Sequence, residues 1–190
     1  YDNAMSNNRK TPFTRILKET EDISPNAYAR LAAGNQFVAD IQNTLMFCGK
    51  TEAELKNIFV RLGEYFNVDR IYYQEFFREE ESIKILYQWS KDPSNSCTTL
   101  SWDMTAQEAE TIIRNFEENG YIEMIKGVTT EYSDDAPASD FGKYMLADAL
   151  GLQLWIPFAN YGRYNGAVCF DREDKKPFST VEKFLLAELI

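Results

Sequence analysis

The sequence predicts a three-layer α+β sandwich, in which helices cover both faces of a mainly antiparallel sheet. Two candidate hairpins, at 68–90 and 152–171, favour antiparallel pairing. Amphipathic helical stretches lie at both ends of the chain and in its middle. The second hairpin is apolar on both faces, whereas a hairpin with one wet face alternates apolar with polar residues. Helices are therefore expected on both sides of the sheet.

The N-terminal third of the chain predicts an arm followed by two helices. Residues 1–4, before Met5, resemble a vector remnant, and the polar residues 5–34 indicate an arm with a short helix at 27–33. Residues 35–190 are expected to form one domain. Its first helix ends near Gly49, and a capping box of Thr51 and Glu54 opens the second. The first helix has a shared apolar face of Phe37, Ile41, Leu45 and Cys48.

The first hairpin is predicted as strand 68–77, a charged turn at 78–81 and a second strand that alternates cleanly. A strict period of two places four side chains of the second strand on one face, namely Ile83, Ile85, Tyr87 and Trp89. Residues 91–103 are rich in Ser, Asn and Pro and are expected to form a loop.

Capping boxes and glycines delimit the remaining helices. Thr105 with Glu108 opens a helix that stops at Gly120, a short strand follows at 121–125, and 127–138 forms a loop. A helix is predicted from Ser139 to the second hairpin. Ser179 with Glu182 opens the last helix, whose apolar pattern is still running at Ile190, so we expect it to be truncated.

The faces of the second hairpin depend on its turn. If Tyr161 and Gly162 form a two-residue turn, Val168 and Phe170 share a face with Trp155. Ala167 and Cys169 then join the opposite face, with Leu152, Leu154, Ile156 and Phe158.

Composition excludes several kinds of partner. Thirty acidic and 20 basic residues give a net charge of −10, which disfavours nucleic acid and anionic membrane surfaces. No apolar run is long enough for a membrane span. Three widely spaced cysteines, Cys48, Cys97 and Cys169, form neither a disulfide framework nor a zinc motif, so a reducing, cytoplasmic setting is expected.

The sequence carries no recognisable catalytic constellation. It contains no histidine, which removes Ser-His-Asp and Cys-His catalysis, histidine-ligated haem and most zinc chemistry. Residues 49–51 resemble the end of a phosphate-binding loop but follow a helix, and the acidic residues of 131–140 lack calcium-loop spacing. Cys97, in a polar loop, is the thiol expected to be most reactive. We therefore expect this chain not to be an enzyme.

Several short segments, in this order and spacing, resemble the GAF domain, a sensing and dimerisation module of signalling proteins related to PAS. The resemblance covers residues 35–190. Its segments are Leu62-Gly63, Phe66 with Val68-Asp69-Arg70, Tyr87-Gln88-Trp89, Gly151-Leu152, Ile156-Pro157-Phe158, Gly162, Gly166, Cys169-Phe170-Asp171, and Phe178-Ser179 with Glu182.

This resemblance implies a six-stranded antiparallel sheet with a helical bundle on one face and a ligand chamber on the other. It also implies a homodimer and a downstream output domain, for which a GGDEF-type diguanylate cyclase is the first expectation. The cyclic-nucleotide signature of the family is missing. Because the chain has no histidine, neither a bilin held at a cysteine beside a histidine nor a histidine-ligated haem is expected. The cofactor and the ligand are left unassigned.

Three functional hypotheses follow. The first is a sensory module that binds a small, flat or weakly polar molecule between the sheet and residues 97–104 and 139–146, and that dimerises through its end helices. The second is a ligand-free module for dimerisation and relay, and the third is a cysteine-based redox sensor or a methionine sulfoxide reductase-like enzyme. The predicted pocket residues are Tyr87, Trp89, Trp102, Phe141, Tyr144, Met145 and Trp155.

Overall fold

A computed structural model describes residues 25–47, 51–125, 150–160 and 162–190. Four α-helices and six strands are described in this part of the chain. In chain order they are α1 (Pro25–Phe47), α2 (Glu52–Phe66), β1 (Arg70–Phe77), β2 (Ser82–Ser90), β3 (Ser101–Asp103), α3 (Ala106–Asn119), β4 (Ile122–Ile125), β5 (Leu152–Asn160), β6 (Arg163–Arg172) and α4 (Thr180–Glu188). The strands form one antiparallel sheet in the order β3-β2-β1-β6-β5-β4. The predicted α+β sandwich is confirmed.

Local capping chemistry sets the ends of three helices. Thr51, Thr105 and Ser179 each accept the backbone N–H three residues later, and the glutamate at that position accepts the cap residue's own N–H. These reciprocal bonds satisfy donors that the first helical turn leaves open. Gly120, at φ 80°, ends α3 in the left-handed conformation that glycine adopts without strain.

Some element boundaries differ from those that the sequence predicts. Helix α1 begins at Pro25 rather than Asn35 and absorbs the predicted short helix, because proline is tolerated at a first helical position. The predicted loop 91–103 contains strand β3, in which Trp102 pairs with Ile83. The predicted loop 127–138, the helix from Ser139 and the helix end at Gly49 lie outside the described residues.

A β-bulge in β2 overturns the predicted single face of that strand. Tyr73 pairs with Tyr87, but the next residue, Gln74, pairs with Ile85, so Leu86 is an extra residue. An inserted residue reverses the alternation beyond it. Ile83 and Ile85 therefore face one side of the sheet, while Tyr87 and Trp89 face the other.

A second bulge reverses the predicted faces of β6. Asn160 pairs with Arg163, as the expected two-residue turn requires, but Ala159 pairs with Tyr164 and Phe158 with Gly166. Asn165 is thus an extra residue. Trp155 then lies opposite Cys169, while Phe170 joins Leu154 on the other face, so the predicted assignment was wrong.

Two separate hydrophobic cores lie on opposite sides of the sheet. On the side that we call the bundle face, α1, α2 and α4 pack against Ile71, Leu152, Leu154, Ile156 and Phe170. On the side that we call the α3 face, Ala109, Ile112 and Phe116 of α3 belong to a second core with side chains that include Tyr72, Phe76, Ile83, Ile85, Trp102, Trp155, Ala167 and Cys169.

Candidate functional site

The α3 face carries a set of buried polar side chains on β1, β5 and β6. Because side chains alternate along a strand, the neighbours of Ile71, Leu152, Leu154 and Phe170 point to the α3 face. Several of these neighbours are polar, and none of the polar ones is more than 1% exposed: Arg70, Tyr72, Gln153 and Asp171, with Gln74 further along β1. Burying such groups without partners costs several kcal/mol, about 2–7 for a neutral amide or hydroxyl. Each of them therefore requires an account of its hydrogen bonds.

An ion pair between Arg70 and Asp171 forms the centre of this polar set. Arg70 Nε and Nη2 both donate to Asp171 Oδ2, at 2.8 and 2.5 Å, and Gln153 Nε2 lies 3.5 Å from the same oxygen. Arg70 Nη1 donates to the Asn95 carbonyl at 3.0 Å. Burial on its own would lower the pKa of Arg70, but Asp171 opposes it and the net shift is upward. The guanidinium therefore stays charged inside the protein.

Gln88 anchors the segment that leads to β3. Its Nε2 donates to the Cys97 carbonyl at 3.1 Å, and its Oε1 accepts the Cys97 N–H at 2.7 Å. Cys97 is consequently buried in the second core, which corrects the expectation of an accessible, reactive thiol. Burial, with a contribution from Asp171, raises the pKa of Cys169 well above its usual range, so that thiol stays protonated at neutral pH. Cys48 lies outside the described residues.

Gln74 is a polar side chain of this face that makes no side-chain hydrogen bond to the described residues. It is fully buried beside its cross-strand partners Ile85 and Ala167, and neither amide atom has a partner within the described residues. A buried polar group left without a partner costs about 1–3 kcal/mol. Such a group in a native core calls for a water, an ion or a ligand.

The structure separates the predicted pocket residues. Trp102 and Trp155 are buried on the α3 face. Tyr87 packs edge-on against Phe59, at 5.1 Å between ring centroids, and the ring of Trp89 lies against Gly63 of α2, so both belong to the bundle face. Tyr87 and Trp89 therefore lie on the opposite side of the sheet from Trp155, so the three do not line one pocket as predicted. The other predicted residues, Phe141, Tyr144 and Met145, lie outside the described residues, and ligand binding by any of the seven stays a prediction.

The site residues predicted from the sequence were mostly aromatic and did not include the buried polar residues of the α3 face. The available signal was a glutamine between two leucines, Gln153, and another within the aromatic strand β1, Gln74. A polar residue inside a strand that is apolar on both faces indicates a buried hydrogen-bonding role.

Neither a metal site nor a membrane-spanning helix is found in the described part of the chain. There, no group of three or more cysteine, aspartate or glutamate side chains is arranged to hold a metal ion. No helix in the described ranges is long and apolar enough to cross a membrane.

Comparison with known proteins shows what this architecture resembles. No protein-family model and no curated protein sequence matches the chain. Among solved structures, the GAF domain of a phosphoenolpyruvate-protein phosphotransferase from Coxiella burnetii is 16% identical, with a TM-score of 0.60 over 84% of this chain and 89% of that one. The far-red-absorbing dark state of a biliverdin-bound protein is 10% identical, with a TM-score of 0.60 over 80% and 92%.

A third solved structure is an enzyme. The free methionine-R-sulfoxide reductase from Neisseria meningitidis, in complex with its substrate, is 14% identical, with a TM-score of 0.55 over 88% of this chain and 87% of that one. At such identities the likeness concerns the fold and not the activity. With its six-stranded antiparallel sheet between helices, this chain has the GAF-like α+β fold.

Proposed function

We propose that this chain is a non-catalytic sensory module that binds a small molecule on the α3 face of its sheet and regulates an output domain. The observation that carries the proposal is the contrast between the two faces. On the bundle face the sheet packs helices and buries the charged Arg172, which pairs with Glu182 beside α4, whereas the α3 face buries a set of four polar side chains, Arg70, Gln74, Gln153 and Asp171. A face used for packing alone would gain nothing from these desolvated polar groups.

The ligand class follows from which polar groups are already satisfied. Arg70 is neutralised by Asp171 and offers no free charge to a phosphate. Gln74, by contrast, has an amide donor and an amide acceptor without partners among the described residues. The arrangement favours a neutral or weakly polar molecule that accepts and donates one hydrogen bond each.

A thermal-shift screen of the 190-residue chain against a library of neutral metabolites tests this proposal. A compound at about 100 times its dissociation constant adds about 2.7 kcal/mol, which corresponds to a shift of about 5–10 °C. Gln74→Leu has a similar volume and should abolish the shift without lowering the melting temperature of the free protein. Tyr73→Phe, on the bundle face, is the matched control and should keep the shift.

Two outcomes would contradict ligand binding at this site. Either no compound changes the melting temperature of the unsubstituted chain, or the shift is equally large in Gln74→Leu. In the second case the ligand binds elsewhere, and the unpaired amide is bonded to buried water.

The output domain is proposed from the GAF-like fold, with a GGDEF-type diguanylate cyclase as the first expectation. The cyclic-di-GMP yield of the complete gene product, with and without a compound found in the screen, tests this expectation. An output domain of another class would overturn the cyclase assignment and leave the sensory proposal standing.

A second candidate function, dimerisation and relay without a ligand, is favoured by the outer surface of α1. Tyr28 and Met46 are 60% and 75% exposed. They are 18 residues apart, which is five turns of an α-helix, so both lie on one stripe. A second copy of the chain would cover this stripe in a homodimer. Sedimentation should then show a dimer that Tyr28→Glu with Met46→Glu dissolves, and a monomer at tens of micromolar would exclude this role for α1.

A further inference from the structure

Three arginines from three different elements line one surface groove of about 340 Å³. Arg78 follows β1, Arg114 lies on α3, and Arg163 begins β6 at the tip of the second hairpin. All three are exposed, and the groove is distinct from the buried α3 face. It therefore calls for an explanation separate from the proposed ligand site.

No acidic side chain in the described part of the chain forms an ion pair with these arginines, although Glu110 and Glu117 border the same groove. Both glutamates are spaced for helical pairing with Arg114. Arg78 Nη2 donates to the Tyr164 carbonyl at 3.3 Å. Elsewhere Arg70, Arg172 and Lys183 each contact a carboxylate.

The groove also has an apolar wall. Ile113 and Tyr164 are half-buried in it, and the Tyr164 ring lies 5.6 Å from Phe116, a core residue of α3. At the hairpin tip, Gly162 adopts φ 73° with open space where a side chain would stand. A flat molecule could lie on this wall with its charged end among the guanidinium groups.

We propose that this groove binds a small organic anion, with a carboxylate or a phosphate on a flat apolar body. Guanidinium groups form charge-assisted hydrogen bonds with such oxyanions, and the anion relieves the repulsion among the three cations. The volume lies at the lower end of the range for small-molecule sites. Because Arg114 and Arg163 belong to α3 and to the hairpin, the anion bridges these two elements.

Amide-proton NMR titrations with benzoate, phenyl phosphate and uncharged benzamide, in about 150 mM salt, test the site. Saturable shifts are expected for residues 110–117 and 162–164 with at least one anion and not with benzamide. The anion with the lower dissociation constant shows whether the site prefers a carboxylate or a phosphate. Arg114→Gln with Arg163→Gln should weaken binding at least about tenfold, and Arg30→Gln, an exposed arginine on α1, is the matched control.

Three results would each overturn the anion site: no saturable shift with either anion, equal affinity in the double variant, or equal binding of benzamide. Circular dichroism should be unchanged in all variants, because the substituted side chains are exposed. A negative result for the anion site would not bear on the Gln74 experiment, since that experiment uses neutral compounds and tests the buried α3 face.

Discussion

Replacing Asp171 with asparagine should destabilise the protein by about 3–5 kcal/mol. The side chains of Arg70 and Asp171 are 2% and 0% exposed, so the substitution leaves a guanidinium charge in the core without its counter-charge. Asparagine keeps the shape of aspartate and can still accept from Gln153. The loss of stability therefore reports the removal of the negative charge and not a change of shape. It is a large share of the roughly 5–15 kcal/mol by which native domains are stable.

Removing both charges should cost far less than removing one. Arg70→Met combined with Asp171→Leu replaces the pair with apolar groups, and we expect a change within about 1 kcal/mol or a gain in stability. The two changes are therefore strongly non-additive, which a double-mutant cycle measures.

Urea unfolding followed by circular dichroism provides the free energies, provided that the slope against urea stays constant among variants. The matched control is Asp69→Asn, close by on the chain, whose Oδ2 accepts the Glu173 N–H at 2.9 Å outside the polar set. We expect that substitution to cost about 1 kcal/mol. If Asp171→Asn also costs less than about 1 kcal/mol, water solvates the Arg70 pair and the argument for a desolvated polar face fails.

Three further predictions concern packing, register and pH. Gly63→Ala should cost about 1–2 kcal/mol in urea unfolding, because its Cβ would lie 2.3 Å from the Trp89 ring, while exposed Glu64→Ala should change stability by less than about 0.5. Deleting Leu86 should abolish cooperative unfolding, because it moves the side chains on one side of the bulge to the opposite face of the sheet. Leu86→Ser at this exposed position should be tolerated, and cooperative unfolding of the deletion variant would refute the bulge. Burial alone would raise the pKa of Glu182, but bonds from Ser179 and Arg172 lower it below its ordinary 4.5. The stabilisation from Glu182 is thus present above pH 4.5 and is lost as pH falls through the lowered pKa. Glu182→Gln should therefore reduce the fall in the free energy of unfolding below pH 4.5, and an unchanged fall would contradict the assignment.

Helix starts and stops could be predicted from the sequence because their causes are local. The capping boxes at Thr51, Thr105 and Ser179 need only residues within one turn, and Gly120 ends α3 through its own backbone freedom. The fold class followed from the same local signals, together with two hairpins. The start of α1 at Pro25 was missed, although proline is compatible with a first helical position.

Side-chain direction could not be predicted, because one inserted residue reverses it. Leu86 and Asn165 are not distinguishable from their neighbours by residue type, and each becomes a bulge only through its pairing with the adjacent strand. Those pairings send Tyr87 and Trp89 to the bundle face and bring Cys169, rather than Phe170, beside Trp155. The sequence by itself determined most of the segments that form strands and helices, although not β3. The pairing of distant strands decided that Arg70, Gln74, Gln153 and Asp171 share one buried face, since cross-strand hydrogen bonds join residues up to 101 positions apart.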